Sequence, residues 1–437
     1  MNWESLMQPL ILPLVKVALL MFALMTAAAY LVLLERWIAA WVQDRQGPNR
    51  VGMPLTKLKL FGLGQPLADG LKFIFKEEYT PAHVEKVLFT LAPISILAAA
   101  IAVFAVVPFG STLPIEIPGV EGQVQLIVAP GLDVGMIYIF ALSSIAVYGV
   151  ILGGWSSNNK YGFLGALRSS AQLIAYEIPL GLGILGVVLA AGSLRLETII
   201  YQQAETGVWN AFAQPLGFSV FLIAAFAEAA RLPFDLPEAE QELIGGYHTE
   251  YAGMKLLLFL IAEFLHMVVA ALLIVILFFG GWHFWGMPVA EGETIGWPLA
   301  LGRVAILLSK VMLVILFFMM VRWSWPRFRF DQLMNLAWKV MLPLGLINLV
   351  AMAIVYEYQH VNGLENTPKG AWMLMGVGWG VALVSWFLAA LLAPLHTDNR
   401  PRLDDLAAPE FEPEAMRQLL ASDNPQLGNP QFGAKPR

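Results

Sequence analysis

Three glutamates stand inside otherwise apolar runs of the chain: Glu177, Glu228 and Glu263. A carboxylate at the centre of a membrane helix costs about 2.5 to 3.5 kcal/mol on insertion scales, so three of them on three runs point to chemistry that uses an ionisable group. Counted at about 1.5 Å per residue from the cytoplasmic ends assigned below, Glu228 lies near the mouth, Glu177 roughly 10 Å inside (from Ser170) and Glu263 roughly 14 Å inside (from Met254). A graded series of acids is the arrangement of a proton relay. The alternative is that each acid is neutral and bonded to a neighbouring helix. His266, one turn from Glu263, either extends the series or is a satisfied core histidine. Lys16 and Lys310 either serve the series as cations or lay long stems along apolar surface.

The segment after Glu228 reads Arg231-Leu232-Pro233-Phe234-Asp235-Leu236-Pro237-Glu238-Ala239-Glu240-Gln241-Glu242. Asp235 is placed to cap a short helix opening at Pro237, with Glu238 completing the capping box and both acids favoured by the positive helix end. Glu240, Glu242 and, past Gly245-Gly246, Glu250 remain as an acidic loop beside a basic surface, as expected of a charged switch or entrance. Nearer the N-terminus, Glu35-Arg36 and Arg45-Gln46-Gly47-Pro48-Asn49-Arg50 form a second polar cluster. Gln65, Asp69, Lys72 and Lys76 then follow one helical face, opposite Leu67, Leu71, Ile74 and Phe75. That pattern predicts an amphipathic helix at the membrane interface. It either anchors the chain or lines the mouth of a site for an amphipathic, lipid-like ligand.

The chain that must position these groups has 437 residues, 58% hydrophobic and only 13% charged, with a mean hydropathy of +0.68. Soluble domains carry about 25% charged residues, so an all-α polytopic membrane protein is predicted. A helix needs about 20 apolar residues to cross a hydrocarbon core of about 30 Å. Nine stretches qualify, near residues 10–34, 87–107, 135–152, 171–191, 216–230, 254–282, 304–321, 340–356 and 371–395, and together they make one membrane domain over residues 1–395. The fifth is the weakest. The first is too long for the apolar core of a signal peptide and lacks a basic leader, so it is read as a retained span.

Twenty-one of the 26 lysines and arginines fall on one side of this arrangement: in residues 35–86 and 155–169, at Arg231 and Lys255, in residues 322–339 and in the tail. Positive loops stay cytoplasmic, which puts the N-terminus outside and the tail, residues 396–437, in the cytoplasm. The tail has too little apolar content to fold alone, and so is disordered or laid on a partner. A net charge of −6 argues against a nucleic-acid partner. With no cysteine the chain can hold no disulfide, iron–sulfur cluster or thiolate zinc site, so any redox metal belongs to a partner. Gly62-Leu63-Gly64 lacks the remainder and the strand context of a dinucleotide fingerprint.

Several ordered blocks carry a resemblance: Glu35-Arg36, Gly47-Pro48-Asn49, Gly64-Gln65-Pro66-Leu67-Ala68-Asp69, Lys160-Tyr161 with Gly165-Ala166-Leu167-Arg168, Tyr176-Glu177, Pro233-Phe234-Asp235-Leu236, Glu250-Tyr251, and Pro326-Arg327-Phe328-Arg329-Phe330-Asp331-Gln332. Over roughly Leu31 to Asn348 the sequence resembles the H-subunit family of the proton-pumping NADH:quinone oxidoreductase, respiratory complex I. The resemblance implies a multi-pass component of the bacterial inner membrane and of a translocase enzyme, shaping a quinone cavity with the peripheral redox arm and coupling quinone reduction to proton translocation. By the same resemblance Glu35, Arg36, Arg45, Asp69 and Lys72 line the quinone access path or cavity. Glu228, Arg231, Asp235, Glu238, Glu240 and Glu242 form a mobile acidic coupling loop, and Glu177 and Glu263 continue the relay toward neighbouring membrane subunits. The substrate is then ubiquinone or menaquinone, with NADH, flavin and iron–sulfur sites confined to partner subunits.

Where the family usually spells Ala-Glu-Thr-Asn-Arg, this chain has Ala227-Glu228-Ala229-Ala230-Arg231, so the hydrogen bonds of two polar side chains are missing. Arg322-Trp323-Ser324-Trp325-Pro326 is also more aromatic than the family's spelling, and the last span and the tail fall outside the strong match. Two rival readings stand beside this one. The nearer is the homologous membrane subunit of an energy-converting hydrogenase. The other is an ion-coupled secondary transporter, for which helices broken at the midplane are expected; Pro179 is the span-interior candidate for such a break.

Overall fold

Apolar runs in a membrane must satisfy their own backbone, and helices do so. The computed structural model of the chain describes residues 11–52, 60–115, 123–235, 245–287, 295–364 and 367–392. In chain order its helices are α1 (Leu12–Val42), α2 (Gln65–Phe75), α3 (Lys86–Ala102), α4 (Gly135–Ser156), α5 (Lys160–Ala191), α6 (Leu196–Thr206), α7 (Asn210–Ala213), α8 (Pro215–Glu228), α9 (Gly253–Phe278), α10 (Trp297–Ser324), α11 (Phe330–Asn335), α12 (Leu342–Val361) and α13 (Pro368–Leu392). A π-helical turn, Leu336–Met341, joins α11 to α12 in one run. Two two-residue strands, Thr112–Leu113 and Val124–Gln125, pair antiparallel in the loop between α3 and α4.

Eight helical runs are long and apolar enough to cross a membrane, and α8 is a ninth, shorter apolar helix. The protein is thus an all-α, multi-pass membrane protein. The amphipathic helix expected from the polar spacing is α2, which leaves Leu67, Leu71, Ile74 and Phe75 exposed. The chain divides into Met1–Trp386 and Phe387–Arg437, and the tail from residue 393 lies outside the described residues.

Two expectations need correction. The fourth span, expected from residue 171, begins at Lys160, because Lys160 and Arg168 hide its first turns from a count of apolar residues. Asn159 caps this start, its Oδ1 accepting from the Tyr161 N–H at 3.0 Å, and its Nδ2 donates to Glu250 Oε1 at 2.6 Å. Glu250 therefore anchors a helix end. Secondly, Pro179 is joined by a further span-interior proline, Pro93, and both α5 and α3 stay helical across them.

The centre of the bundle is α9. In its most apolar stretch 78% of the residues are buried, against 22–44% for the other spanning runs, as expected of a helix apolar on every side. It packs on α1, α3, α8 and α10. At its start Tyr251 stacks on Phe89, ring centroids 4.0 Å apart. Burial pushes the Tyr251 phenol up to about 12, against the effect of a hydrogen bond from Ser156, so it stays protonated. At its end Lys310 Nζ donates to the carbonyls of Phe279, Gly281 and His283 at 2.7, 3.0 and 2.6 Å, completing the helix terminus. Lys16 Nζ likewise donates to the Ile127 carbonyl at 2.8 Å. Both lysines, weighed as cations for the acid series, bond backbone carbonyls.

Glycine sets the closest approaches. A Cβ on Gly154 would stand 2.2 Å from Ala166 Cβ, and one on Gly149 would stand 2.2 Å from Ile96 Cγ1, so α3, α4 and α5 form a tight slab. Beyond the family-like region, α13 turns Ala371, Leu374, Gly378, Ala382 and Ser385 inward at helical spacing.

At the exit of α8, Ala230 has φ 51°, the left-handed region that side chains other than glycine, asparagine and aspartate enter at a cost of about 1–2 kcal/mol. Asparagine is the residue of the family's usual spelling at this position. Replacing Ala230→Asn is expected to stabilise the chain by about 0.5–1 kcal/mol, read as a higher temperature of dissociation of the solubilised complex. An unchanged or lower temperature would show that the surroundings, not the backbone conformation, set the cost.

Candidate functional site

Two cavities meet at one carboxylate. The larger, ≈ 680 Å³, lies between α1, α2, α9 and the end of α10. It is lined by apolar side chains, among them Met25, Ala28, Val32, Phe73, Leu257 and Phe264, and by the charged groups of Glu35, Arg36, Arg45, Asp69, Arg231, Glu263 and Arg322. The segment Gly47-Pro48-Asn49 is tied to α1 by a hydrogen bond from Trp37 Nε1 to the Pro48 carbonyl at 3.0 Å. Gly62 and Gly64 pack against its backbone, where a Cβ would come within 2.2 Å of Pro48 O and 2.0 Å of Gly52 O. Steric need accounts for that glycine pair.

The charges in this lining alternate in sign. Arg36 Nη1 pairs with Asp69 Oδ2 at 2.6 Å, and Gln65 Nε2 donates to the other oxygen of Asp69 at 3.0 Å. Deeper in, Arg231, 3% exposed, bridges Glu35 at 3.2 Å and Glu263 at 3.1 Å. Arg322 closes on the second oxygen of Glu35 at 2.5 Å, and the Phe264 ring lies 4.4 Å below the Arg231 guanidinium. Removing one member of a buried ion network leaves an uncompensated charge, a loss of about 3–5 kcal/mol.

The smaller cavity, ≈ 80 Å³, is lined by Glu177 from α5, Glu228 from α8 and Glu263 with His266 from α9. Ser143 and Ser144 of α4 reach into it: the Ser144 hydroxyl donates to Glu177, and Ser143 is hydrogen-bonded to Glu228. Glu263 lines both cavities. The three acids read from the sequence therefore converge on one small cavity with His266 beside them, and Glu263 joins that cavity to the charged groups of the larger one.

Not every expected residue is here. Lys72 is exposed on α2 and is not in the cavity wall. Asp235, 3% exposed, pairs with Arg327 Nη2 at 2.9 Å. The Pro233-Phe234-Asp235 and Pro326-Arg327-Phe328 motifs clamp each other through this pair, through the Phe328 N–H to the Pro233 carbonyl at 3.1 Å, and through the rings of Phe234 and Phe328. Gln172 Nε2 holds the same turn from α5, donating to the carbonyls of Ala227 and Phe234 at 2.9 and 2.7 Å. Glu238, Glu240 and Glu242, and the short helix expected from Pro237, lie outside the described residues.

Arg322, Ser143 and Ser144 were not among the expected site residues. Arg322 counts in the sequence only as one more cytoplasmic cation, whereas two adjacent serines in the middle of an apolar run were a usable signal. Among the described residues no group of three or more His, Asp or Glu side chains is arranged to hold a metal ion.

Comparison with known proteins meets this geometry. The sequence model of a family described as NADH dehydrogenase matches residues 15–353. The chain is 46% identical over 337 residues to the NADH-quinone oxidoreductase H subunit 1 of Geobacter metallireducens, covering 77% of this chain and 94% of that protein. It is 46% identical to the H subunit 1 of Cytophaga hutchinsonii, covering 74% and 90%, and 44% identical to the H subunit 2 of Rhizobium meliloti, covering 78% and 96%. With a family model matched over residues 15–353 and relatives 44–46% identical over nine tenths or more of their own length, the chain belongs to the family of NADH-quinone oxidoreductase H subunits.

Proposed function

We propose that the larger cavity binds a quinone, and that the Arg231–Glu263 contact passes the charge change of its reduction to the acids of the smaller one. The observation that carries this reading is the position of Glu263, which lines both cavities and is paired with Arg231 between them. A volume of ≈ 680 Å³ falls within the roughly 300–1,000 Å³ usual for small-molecule sites. Its lining combines apolar side chains, which suit an isoprenoid tail, with charged ones, which suit a polar head.

Reduction of a quinone takes up two electrons and two protons and gives a quinol. The chain has no cysteine for a cluster, so the electrons come from flavin and iron–sulfur groups of peripheral partners, with ubiquinone or menaquinone as acceptor. This chain's own groups bind, orient and respond. Arg36 and Asp69 fix the mouth, while Arg231 and Arg322 both pair with Glu35 beneath the polar head. A negative charge arriving in the cavity competes for Arg231. Glu263 shares that guanidinium, so part of its pairing is loosened and the change reaches the smaller cavity that it also lines. Glu228, Glu177 and His266 share that cavity and receive the change. The names of the relatives support this oxidoreductase reading over the hydrogenase one, and the unbroken helices across Pro93 and Pro179 weigh against a transporter built on broken helices.

Asp69→Ala and Arg36→Ala break a partly exposed pair, so each is expected to slow quinone reduction by roughly 1.5-fold to fivefold. Oxidation of NADH by an artificial acceptor should be untouched. Equal loss of both activities in a fully assembled complex would refute the assignment.

Glutamine keeps the size and hydrogen bonding of glutamate but cannot titrate. Glu177→Gln, Glu228→Gln and Glu263→Gln should each lower quinone-linked turnover and proton pumping together, on the order of tenfold or more, since positioned proton transfer contributes at least that much. Full rate and full pumping by all three assembled variants in vesicles would end the relay reading.

The same proposal sets the chain in the inner membrane with its basic loops facing the cytoplasm. Crosslinks from the peripheral redox subunits should map to residues 43–85 and 229–252 and to the segment after α10. Crosslinks mainly within 109–132 or 283–302 would reverse the orientation.

A further inference from the structure

Four amide atoms at the other end of the bundle are buried without a hydrogen-bond partner among the described residues: Oε1 of Gln202, Oε1 of Gln214, and both Nδ2 and Oδ1 of Asn348. Gln214 and Asn348 are fully buried. They approach each other over α5, where a Cβ on Gly186 would stand 2.4 Å from Gln214 Oε1 and 3.0 Å from Asn348 Nδ2. Three of the four atoms are acceptors. Even if Asn348 Nδ2 donates to Gln214 Oε1, Asn348 Oδ1 and Gln202 Oε1 still need donors. An unbonded amide oxygen is costly at membrane depth, so a small donor such as water suits these atoms.

A third cavity, ≈ 250 Å³, lies at the end of α5 away from Glu177, with Gln202 in its wall. Its polar wall is made by Gln202, Thr206, Asn210, Tyr356, Gln359 and Thr367, and among the described residues no acidic, basic or histidine side chain lines it. The Tyr356 hydroxyl connects it to the buried pair, accepting from Gln214 Nε2 at 3.4 Å. Such a wall recognises small neutral hydroxyl groups and offers no cation to an anionic lipid head. A water needs about 10–15 Å³, so several fit. Tyr356, Gln359 and Thr367 lie beyond residue 353, where the family match ends.

We propose that this cavity is a hydration site. Ordered waters enter between the ends of α5, α6, α12 and α13, donate to Gln202 Oε1, and stop at the Tyr356 hydroxyl that Gln214 bonds. The cluster is separate from the carboxylate cavity: Gly186 is nine residues, about 13 Å, along α5 from Glu177, and residues 178–185 between them carry no polar side chain.

The test uses the intact multisubunit complex. A cryo-electron-microscopy map that shows ordered water should hold peaks within about 3.2 Å of Gln202 Oε1 and the Tyr356 hydroxyl. Because the chain has no cysteine, single thiols report wetness on this subunit's own peptides. Ala213→Cys, in the cavity wall, should be alkylated by a small water-soluble maleimide roughly tenfold faster or more than Ala224→Cys in the dry core of α8, since access governs thiol reactivity. If Ala213→Cys does not assemble, Thr206→Cys replaces it in the same comparison. A cavity without water peaks, one filled by an acyl chain, or a wall thiol no faster than Ala224→Cys overturns the proposal.

Discussion

A membrane interior offers no partner to a stray backbone group, and α8, with 14 residues and about 21 Å of length, cannot carry both of its ends past a hydrocarbon core of about 30 Å. Much of the structure answers that shortfall. At the leading end Asn210 Nδ2 donates to the Leu277 carbonyl at 2.9 Å, Gln214 Nε2 to the Gly186 carbonyl at 3.0 Å, and Gln203 Nε2 to the Ile276 carbonyl at 3.0 Å. At the trailing end the work falls to Gln172, with its two carbonyl acceptors. Neutral amide side chains thus stitch both ends to the neighbouring helices. Irregular backbone can then run inside the membrane, and that brings Glu228 to the smaller cavity and Arg231 to the heart of the bundle.

Once Arg231 is buried, its surroundings are forced. A guanidinium at 3% exposure needs carboxylates, and Glu35 and Glu263 supply them from two other helices. Glu35 in turn takes Arg322. The run Arg322, Glu35, Arg231, Glu263 alternates in sign over four elements, so no member can change charge without altering the balance at the next. The aromatic ring of Phe264 under Arg231 excludes water from one face, which keeps these interactions strong.

Much of this could be read from residue order. Nine apolar runs, an amphipathic helix and three acids were legible because each rests on local periodicity or on the cost of a charge in hydrocarbon. The partners were not. Arg322 and Glu35 are 287 positions apart, and Arg231 and Glu35 are 196 apart, and no spacing rule reaches so far. The capping role expected for Asp235 shows the same limit: its local sequence fits a helix start, yet its carboxylate also meets Arg327 from a distant motif. Lys310 could be placed on a span but not aimed, since the three carbonyls it bonds lie on a loop some 30 residues earlier. The first turns of α5 were missed because the charges that carry them out of the bilayer resemble a loop.

That helix runs 32 residues without a break, about 48 Å, well beyond the thickness of the hydrocarbon core. It holds Gly165 against the turn at Gly246, Glu177 at the acid cavity and Gly186 at the amide pair, and it is locked to α4 by the glycine contacts. One helix thus carries all three levels, so a displacement of its leading end is shared by the acid cavity and the amide pair, and Pro179, two residues past Glu177, is where a bend would divide them.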